Sequence, residues 1–110
     1  MLHILEQYRS PDGLLTLKVC RDEDGDISLG FDGFPWHTHA DIEASLSGLG
    51  KDEAVRQYVD ELLNGRAIIA IARVAGEIRS VWVTDDAEPD EYKPPEETIE
   101  FRHWDGSPAI

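Results

Sequence analysis

The chain has 110 residues, a length that fits one domain, and 41% of them are apolar. Twenty-three acidic residues against ten basic ones give a net charge of −13. This charge disfavours binding to nucleic acid or to an anionic membrane, because both require clustered Lys and Arg, and no apolar run approaches the roughly 20 residues that span a bilayer. The acidic excess favours a cationic protein or a metal ion as partner, and a role in solubility alone stays open beside it.

The first nine residues lack the basic start and the long apolar stretch of a signal peptide. The one cysteine, Cys20, has no partner for an internal disulfide, which argues against an oxidising compartment and against a thiolate metal cluster. We therefore expect a single globular domain over residues 1–110 that works in the cytoplasm.

Three strands are predicted in the first third of the chain. Residues 3–9 carry apolar and aromatic side chains without helical spacing, and they end at the turn-forming segment 10–13 (SPDG). Apolar and polar residues then alternate over 15–20 and again over 27–32, with an acidic hairpin loop at 22–26 between them. Short turns between successive strands predict an antiparallel meander.

Two helices are predicted next. Thr38 is a candidate N-cap for a short helix over about residues 39–46. Residues 51–63 predict a clearer helix, because their apolar side chains recur every three or four positions and share one face. The segment 64–65 (NG) is a suitable end for this helix, since both residues tolerate the left-handed conformation.

The last third of the chain predicts three more strands. Residues 66–74 are almost continuously apolar and β-branched, which is typical of a central strand covered on both faces. Strands over 78–84 and 98–104 follow, and the segment 85–97 between them is an acidic, proline-containing loop. The sequence thus predicts an α+β fold, with an antiparallel sheet of about six strands in β-β-β-α-α-β-β-β order and two helices packed on one face.

One histidine cluster has the composition of a metal site. His37 and His39 point the same way if their segment is extended, Asp41 supplies a nearby carboxylate, and His103 can join from the last strand. An H-x-H pair without further ligands is common, however, and structural histidines around a helix entry are the alternative interpretation. A metal-binding or metal-dependent enzyme domain centred on these residues therefore stays open as a second hypothesis.

Other patterns of catalysis and ligand binding fail on specific positions. The acidic loop 22–26 has the early spacing of an EF-hand calcium loop, but Ile27 and Gly33 stand where that loop needs Gly and a bidentate Glu. No nucleophile elbow, phosphate loop or dinucleotide glycine pattern is present in the sequence. We expect no enzymatic activity and no cofactor.

Three segments resemble small bacterial immunity proteins, the cytosolic antidotes encoded beside polymorphic or contact-dependent toxins. The segments are residues 30–39 (GFDGFPWHTH), 76–86 (GEIRSVWVTDD) and 97–106 (ETIEFRHWDG), about a third of the chain. The resemblance implies inhibition of a cognate toxin by tight protein binding, without catalysis. It carries no active-site residues over to this chain.

The acidic loop supplies the candidate contact residues for such a partner. They are Asp85, Asp86, Glu88, Asp90 and Glu91, with Tyr92 as an aromatic anchor. An acidic inhibitor can occupy the basic cleft of a toxin and gain association rate from the charge. Two alternatives stay open: the loop is only a solvated segment, or the chain is a structural or regulatory domain that associates with itself.

Overall fold

The structure, a computed structural model, describes residues 3–85 and 96–109. In chain order its elements are β1 (His3–Arg9), β2 (Thr16–Arg21), β3 (Ile27–Phe31), β4 (His37–His39), α1 (Ala40–Ser47), α2 (Lys51–Leu63), β5 (Ile68–Val74), β6 (Glu77–Thr84) and β7 (Glu97–Arg102). The strands form two antiparallel sheets, one ordered β1-β2-β3-β4 and the other ordered β6-β5-β7. The predicted α+β class is confirmed.

The prediction of a single sheet of about six strands in β-β-β-α-α-β-β-β order is not confirmed. The structure adds β4, which pairs with β3, and it divides the strands between two sheets. A three-residue strand is too short to produce a recognisable alternation of apolar and polar residues. The pairing of strands distant in sequence is a tertiary property that local periodicity does not encode.

One apolar core joins the two sheets and α2. Its buried side chains are Leu15, Leu17, Val19, Leu29 and Phe31 from the first sheet and its turn, Val59 and Leu62 from α2, Ile69, Ile71 and Val81 from the second sheet, and Trp104. The helix α1 contributes less, because only its Ala40 is buried. It packs mainly against α2.

The strand β5 is the central strand of its sheet, as the sequence predicts. It pairs with β6 on one side and with β7 on the other. Residues 69–72 are all buried, so both faces of the strand are covered at its middle. Ala70 and Ala72 lie on one face and Ile69 and Ile71 on the other, and because both faces are covered the run is continuously apolar.

The helix α2 covers the predicted residues, whereas α1 begins one residue later than predicted. The N-cap of α1 is His39, whose side chain makes no capping hydrogen bond. Thr38 lies in β4, where it pairs with Leu29. The Thr38 hydroxyl donates a hydrogen bond to the Glu43 carboxylate at 2.9 Å instead of capping the backbone. No helix in the described part of the chain is both long and apolar enough to cross a bilayer.

The turn between β1 and β2 is connected to the second sheet by a charged contact. The Asp12 carboxylate accepts hydrogen bonds from the Ser10 hydroxyl at 2.6 Å and from the Leu14 N–H at 3.1 Å. It also pairs with the guanidinium of Arg102 at the end of β7, which in turn binds Glu100. This contact links two parts of the chain that are 90 residues apart.

The first sheet has an outer face that points away from the core. Its pairing register aligns Ile4, Cys20, Ser28 and His39 in one row across the four strands. Side chains alternate between the two faces of a strand, so this row lies opposite the face that carries Val19 and Leu29 into the core.

Candidate functional site

The segment 30–39 folds into a hairpin that encloses a groove on the outer face of the first sheet. Gly30 pairs with His37, and a Cβ atom at Gly30 would lie only 2.8 Å from the carbonyl oxygen of Trp36. Glycine at this position therefore lets the loop approach the strand closely. The Trp36 ring lies against Phe31, with 6.0 Å between the ring centroids.

The groove has a volume of about 500 Å³, within the usual range of about 300–1,000 Å³ for ligand pockets. It is lined by Cys20 of β2 and Gly30 of β3 and by Phe34 and Trp36 of the loop that follows β3. Ile4 lines the groove from β1 and is 48% exposed. An outward-facing sheet surface is normally polar, so this largely apolar groove is a candidate binding site.

The polar groups in the groove include one ion pair. The Lys18 ammonium contacts the Asp32 carboxylate at 2.8 Å, and both residues line the groove. The remaining lining carboxylate is Asp22, which accepts a hydrogen bond from the Ser28 hydroxyl at 3.2 Å. Two acids and one base thus line the groove, and its charge is negative when the histidines are neutral.

His37 and His39 lie on the same face, as their extended segment requires, with 4.8 Å between their ring centroids. The Nδ1 atom of His37 is 2.9 Å from the carbonyl oxygen of Pro35, an acceptor that requires this nitrogen to carry the proton. The Nδ1 atom of His39 is buried without a hydrogen-bond partner, at 3.6 Å from Asp26 and 3.9 Å from Asp22.

The structure does not bring the other predicted metal ligands to this pair. His103 lies beside Ala67, with its Nδ1 atom 3.4 Å from the Ala67 carbonyl oxygen. Asp41 is exposed on α1, where its carboxylate accepts a hydrogen bond from the N–H of Ile42. Within residues 3–85 and 96–109, no group of three or more His, Cys, Asp or Glu side chains is arranged to hold a metal ion.

The predicted acidic loop is described only at its two ends. Asp86, Glu88, Asp90, Glu91 and Tyr92 lie outside the described residues. Asp85 follows β6 directly and is exposed. The structure therefore locates one of the six predicted contact residues.

Asp85 lies on the side of the protein that carries the helices. Burial raises the pKa of the Tyr58 hydroxyl on α2, and the carboxylates of Glu43 and Asp85 raise this pKa further by charge repulsion. Glu43 belongs to α1 and Asp85 follows β6, so two carboxylates from different parts of the chain act on one tyrosine of α2. Four further acids on α2 are exposed: Asp52, Glu53, Asp60 and Glu61.

Two surface features were not predicted from the sequence. Ile42 and Leu46, four residues apart on α1, are 48% and 78% exposed and form an apolar pair beside the acids. A shallow depression lined by Pro35, Trp36 and Trp82 joins the groove to the edge strand β6. The sequence signals for these features are the i, i+4 spacing of the two aliphatic residues and the cluster of aromatic residues after Gly30.

Comparisons with known protein families, with curated proteins and with solved structures found no match.

Proposed function

We propose that this chain is a bacterial immunity protein that neutralises a cationic toxin by direct binding through an acidic surface. The observation that carries the proposal is that the carboxylates of Glu43 on α1 and of Asp85 at the start of the acidic loop both raise the pKa of Tyr58 on α2. The segments that resemble immunity proteins and the net charge of −13 support the same function.

The acidic surface consists of α1, α2 and Asp85, and its composition suits protein binding. The helices α1 and α2 carry six acids and two bases, a net charge of −4. Ile42 and Leu46 add exposed apolar area on α1. An apolar centre surrounded by charges is typical of interfaces, in which apolar contacts supply affinity and the charges raise the association rate.

Charge complementarity favours a toxin that acts on nucleic acid. A protein that acts on nucleic acid carries clustered Lys and Arg to bind phosphate. An acidic protein that covers this cluster excludes the nucleic acid and associates rapidly at low salt. We therefore propose a toxin with a basic active-site cleft, inhibited by occlusion and without a cofactor.

The test starts with capture of the partner from the organism that encodes the chain, with tagged protein and washes at low and high salt. The expected partner is one basic protein at near-equal stoichiometry, reduced by the high-salt wash. Its gene is then expressed in a bacterial host with and without this chain, and growth is measured.

Growth arrest by the captured protein, relieved by wild-type chain, is the result that the proposal requires. A matched variant with Glu43→Lys and Asp85→Lys should relieve the arrest less at equal abundance. A captured protein that does not arrest growth, or an arrest that this chain does not relieve, would refute the function. Capture of further copies of the chain alone would favour self-association.

A further inference from the structure

We propose that the groove on the outer face of the first sheet binds a cationic side chain, Arg or Lys, of the protein partner. This inference rests on the proposed function for the source of the side chain. It adds a second contact site, which the sequence did not predict, to the acidic helical surface.

The shape and composition fit a side chain with an apolar stem. Phe34, Trp36 and Ile4 offer apolar surface along the groove. Arg and Lys bury their methylene stems against such surfaces while the charged end stays near water. A cation close to an indole ring gains further attraction from the ring quadrupole, for which Trp is the strongest aromatic partner.

The charges in the groove select a cation over an anion. Lys18 is already paired with Asp32 at 2.8 Å, so its charge is largely compensated. The Asp22 carboxylate accepts a hydrogen bond from the Ser28 hydroxyl, and both Asp22 and Asp26 lie beside the Nδ1 atom of His39. An anionic ligand would approach these carboxylates, whereas a guanidinium or ammonium group would neutralise them.

The position of the groove permits both contact sites to serve one partner. Pro35 and Trp36 line the groove and also line the depression beside Trp82 of β6. Asp85 follows the end of β6 three residues after Trp82. A partner that inserts a side chain beside Trp36 can therefore continue along β6 to the acidic surface.

A small-molecule titration tests the groove independently of the toxin. The probe is N-acetyl-arginine methylamide, and its control is N-acetyl-norleucine methylamide, which keeps an aliphatic stem without the cation. Binding to ¹⁵N-labelled protein is followed from the indole N–H of Trp36, with the indole signal of the buried Trp104 as the internal reference. We expect a millimolar dissociation constant and about threefold to tenfold weaker binding of the norleucine probe, the effect of losing one cation–π contact and one ion pair at an exposed site.

Two variants of equal charge locate the interaction. Asp22→Asn removes a carboxylate from the groove and should weaken binding of the arginine probe, whereas Asp41→Asn removes an exposed carboxylate from α1 and should not. Equal binding of the two probes, equal effects of the two variants, or no response at the Trp36 indole would overturn the inference. None of these outcomes bears on growth rescue, so the inference can fail while the proposed function stands.

Discussion

At the scale of single residues, Gly30 determines whether the groove forms. The nearest atoms to a Cβ at this position would be the Trp36 carbonyl oxygen at 2.8 Å and the His37 Cβ at 3.2 Å. The closer atom belongs to the backbone of a paired segment, which cannot rotate away as a side chain can. Glycine is thus needed here for space, and its backbone conformation plays no part.

Gly30→Ala should lower the free energy of unfolding by about 1–3 kcal/mol, the usual effect of forcing extra atoms into a filled site. Urea denaturation followed by tryptophan fluorescence measures this change. The sign is informative, because Gly inside a strand normally costs about 0.5–1 kcal/mol relative to Ala. An unchanged or increased stability would show that the loop does not approach β3 closely.

Asp12 provides a second test at the residue scale. Hydrogen bonds from the Ser10 hydroxyl and the Leu14 N–H, with a further bond from Arg102, lower the pKa of Asp12 to about 2. A folded-state pKa below the unfolded value of about 3.9 contributes stability above pH 4. This contribution is lost as the pH falls from about 4 to about 2.

Asp12→Asn should therefore reduce the slope of stability against pH in this acidic range. The measurement is the free energy of unfolding at several pH values between 2 and 6 for the variant and the wild type. The two curves should differ most at pH 6 and converge toward pH 2. Parallel curves would mean that the hydrogen bonds of Asp12 do not stabilise the fold.

At the scale of elements, the periodicity of apolar residues predicted those helices and strands that depend mainly on neighbouring residues. The stripe of apolar residues predicted the bounds of α2, and the nearly continuous apolar run 66–74 predicted the central strand, which the structure has at Ile68–Val74. Thr38 was misassigned as a helix cap, because its place in β4 depends on pairing with Leu29 rather than on its neighbours in sequence. The division into two sheets and the groove also depend on contacts between distant residues.

Gly50 is the N-cap of α2 and offers no side chain to the first turn. Its φ of −65° and ψ of 161° are accessible to any residue, and a Cβ there would meet no atom within 4 Å. Gly50→Ser should raise the free energy of unfolding by a few tenths of a kcal/mol, because the hydroxyl can accept a hydrogen bond from a free N–H.

Thermal and urea unfolding measure this gain, with Gly50→Ala as the control that adds a Cβ without an acceptor. The serine variant should be more stable than the alanine variant by about 1 kcal/mol. Equal stability of the two variants would argue against Gly50 as the N-cap of α2.

At the scale of the whole molecule, the net charge of −13 acts on folding as well as on binding. Like charges repel one another in the compact state, and salt screens this repulsion. Raising the ionic strength from about 0.01 M to 0.15 M shortens the Debye length from about 30 Å to 8 Å. A gain of about 1 kcal/mol in the free energy of unfolding raises the melting temperature by about 4–8 °C for a domain near this size. We therefore expect the melting temperature to rise by several degrees with salt.

Differential scanning calorimetry at a fixed pH tests this expectation, with sodium and potassium chloride compared at equal ionic strength. Both salts should act alike, because screening does not depend on the identity of the cation. A melting temperature that is constant or that falls with salt would show that attractive charge pairs outweigh the repulsion.

The most direct test of the central claim is the rate at which this chain associates with its captured toxin. Stopped-flow measurements at low and high salt compare the wild type with the Glu43→Lys, Asp85→Lys double variant. Binding through the acidic surface predicts an association rate about tenfold lower for the variant at low salt, and a smaller difference at high salt. An association rate that is the same for both proteins at low salt would contradict the account.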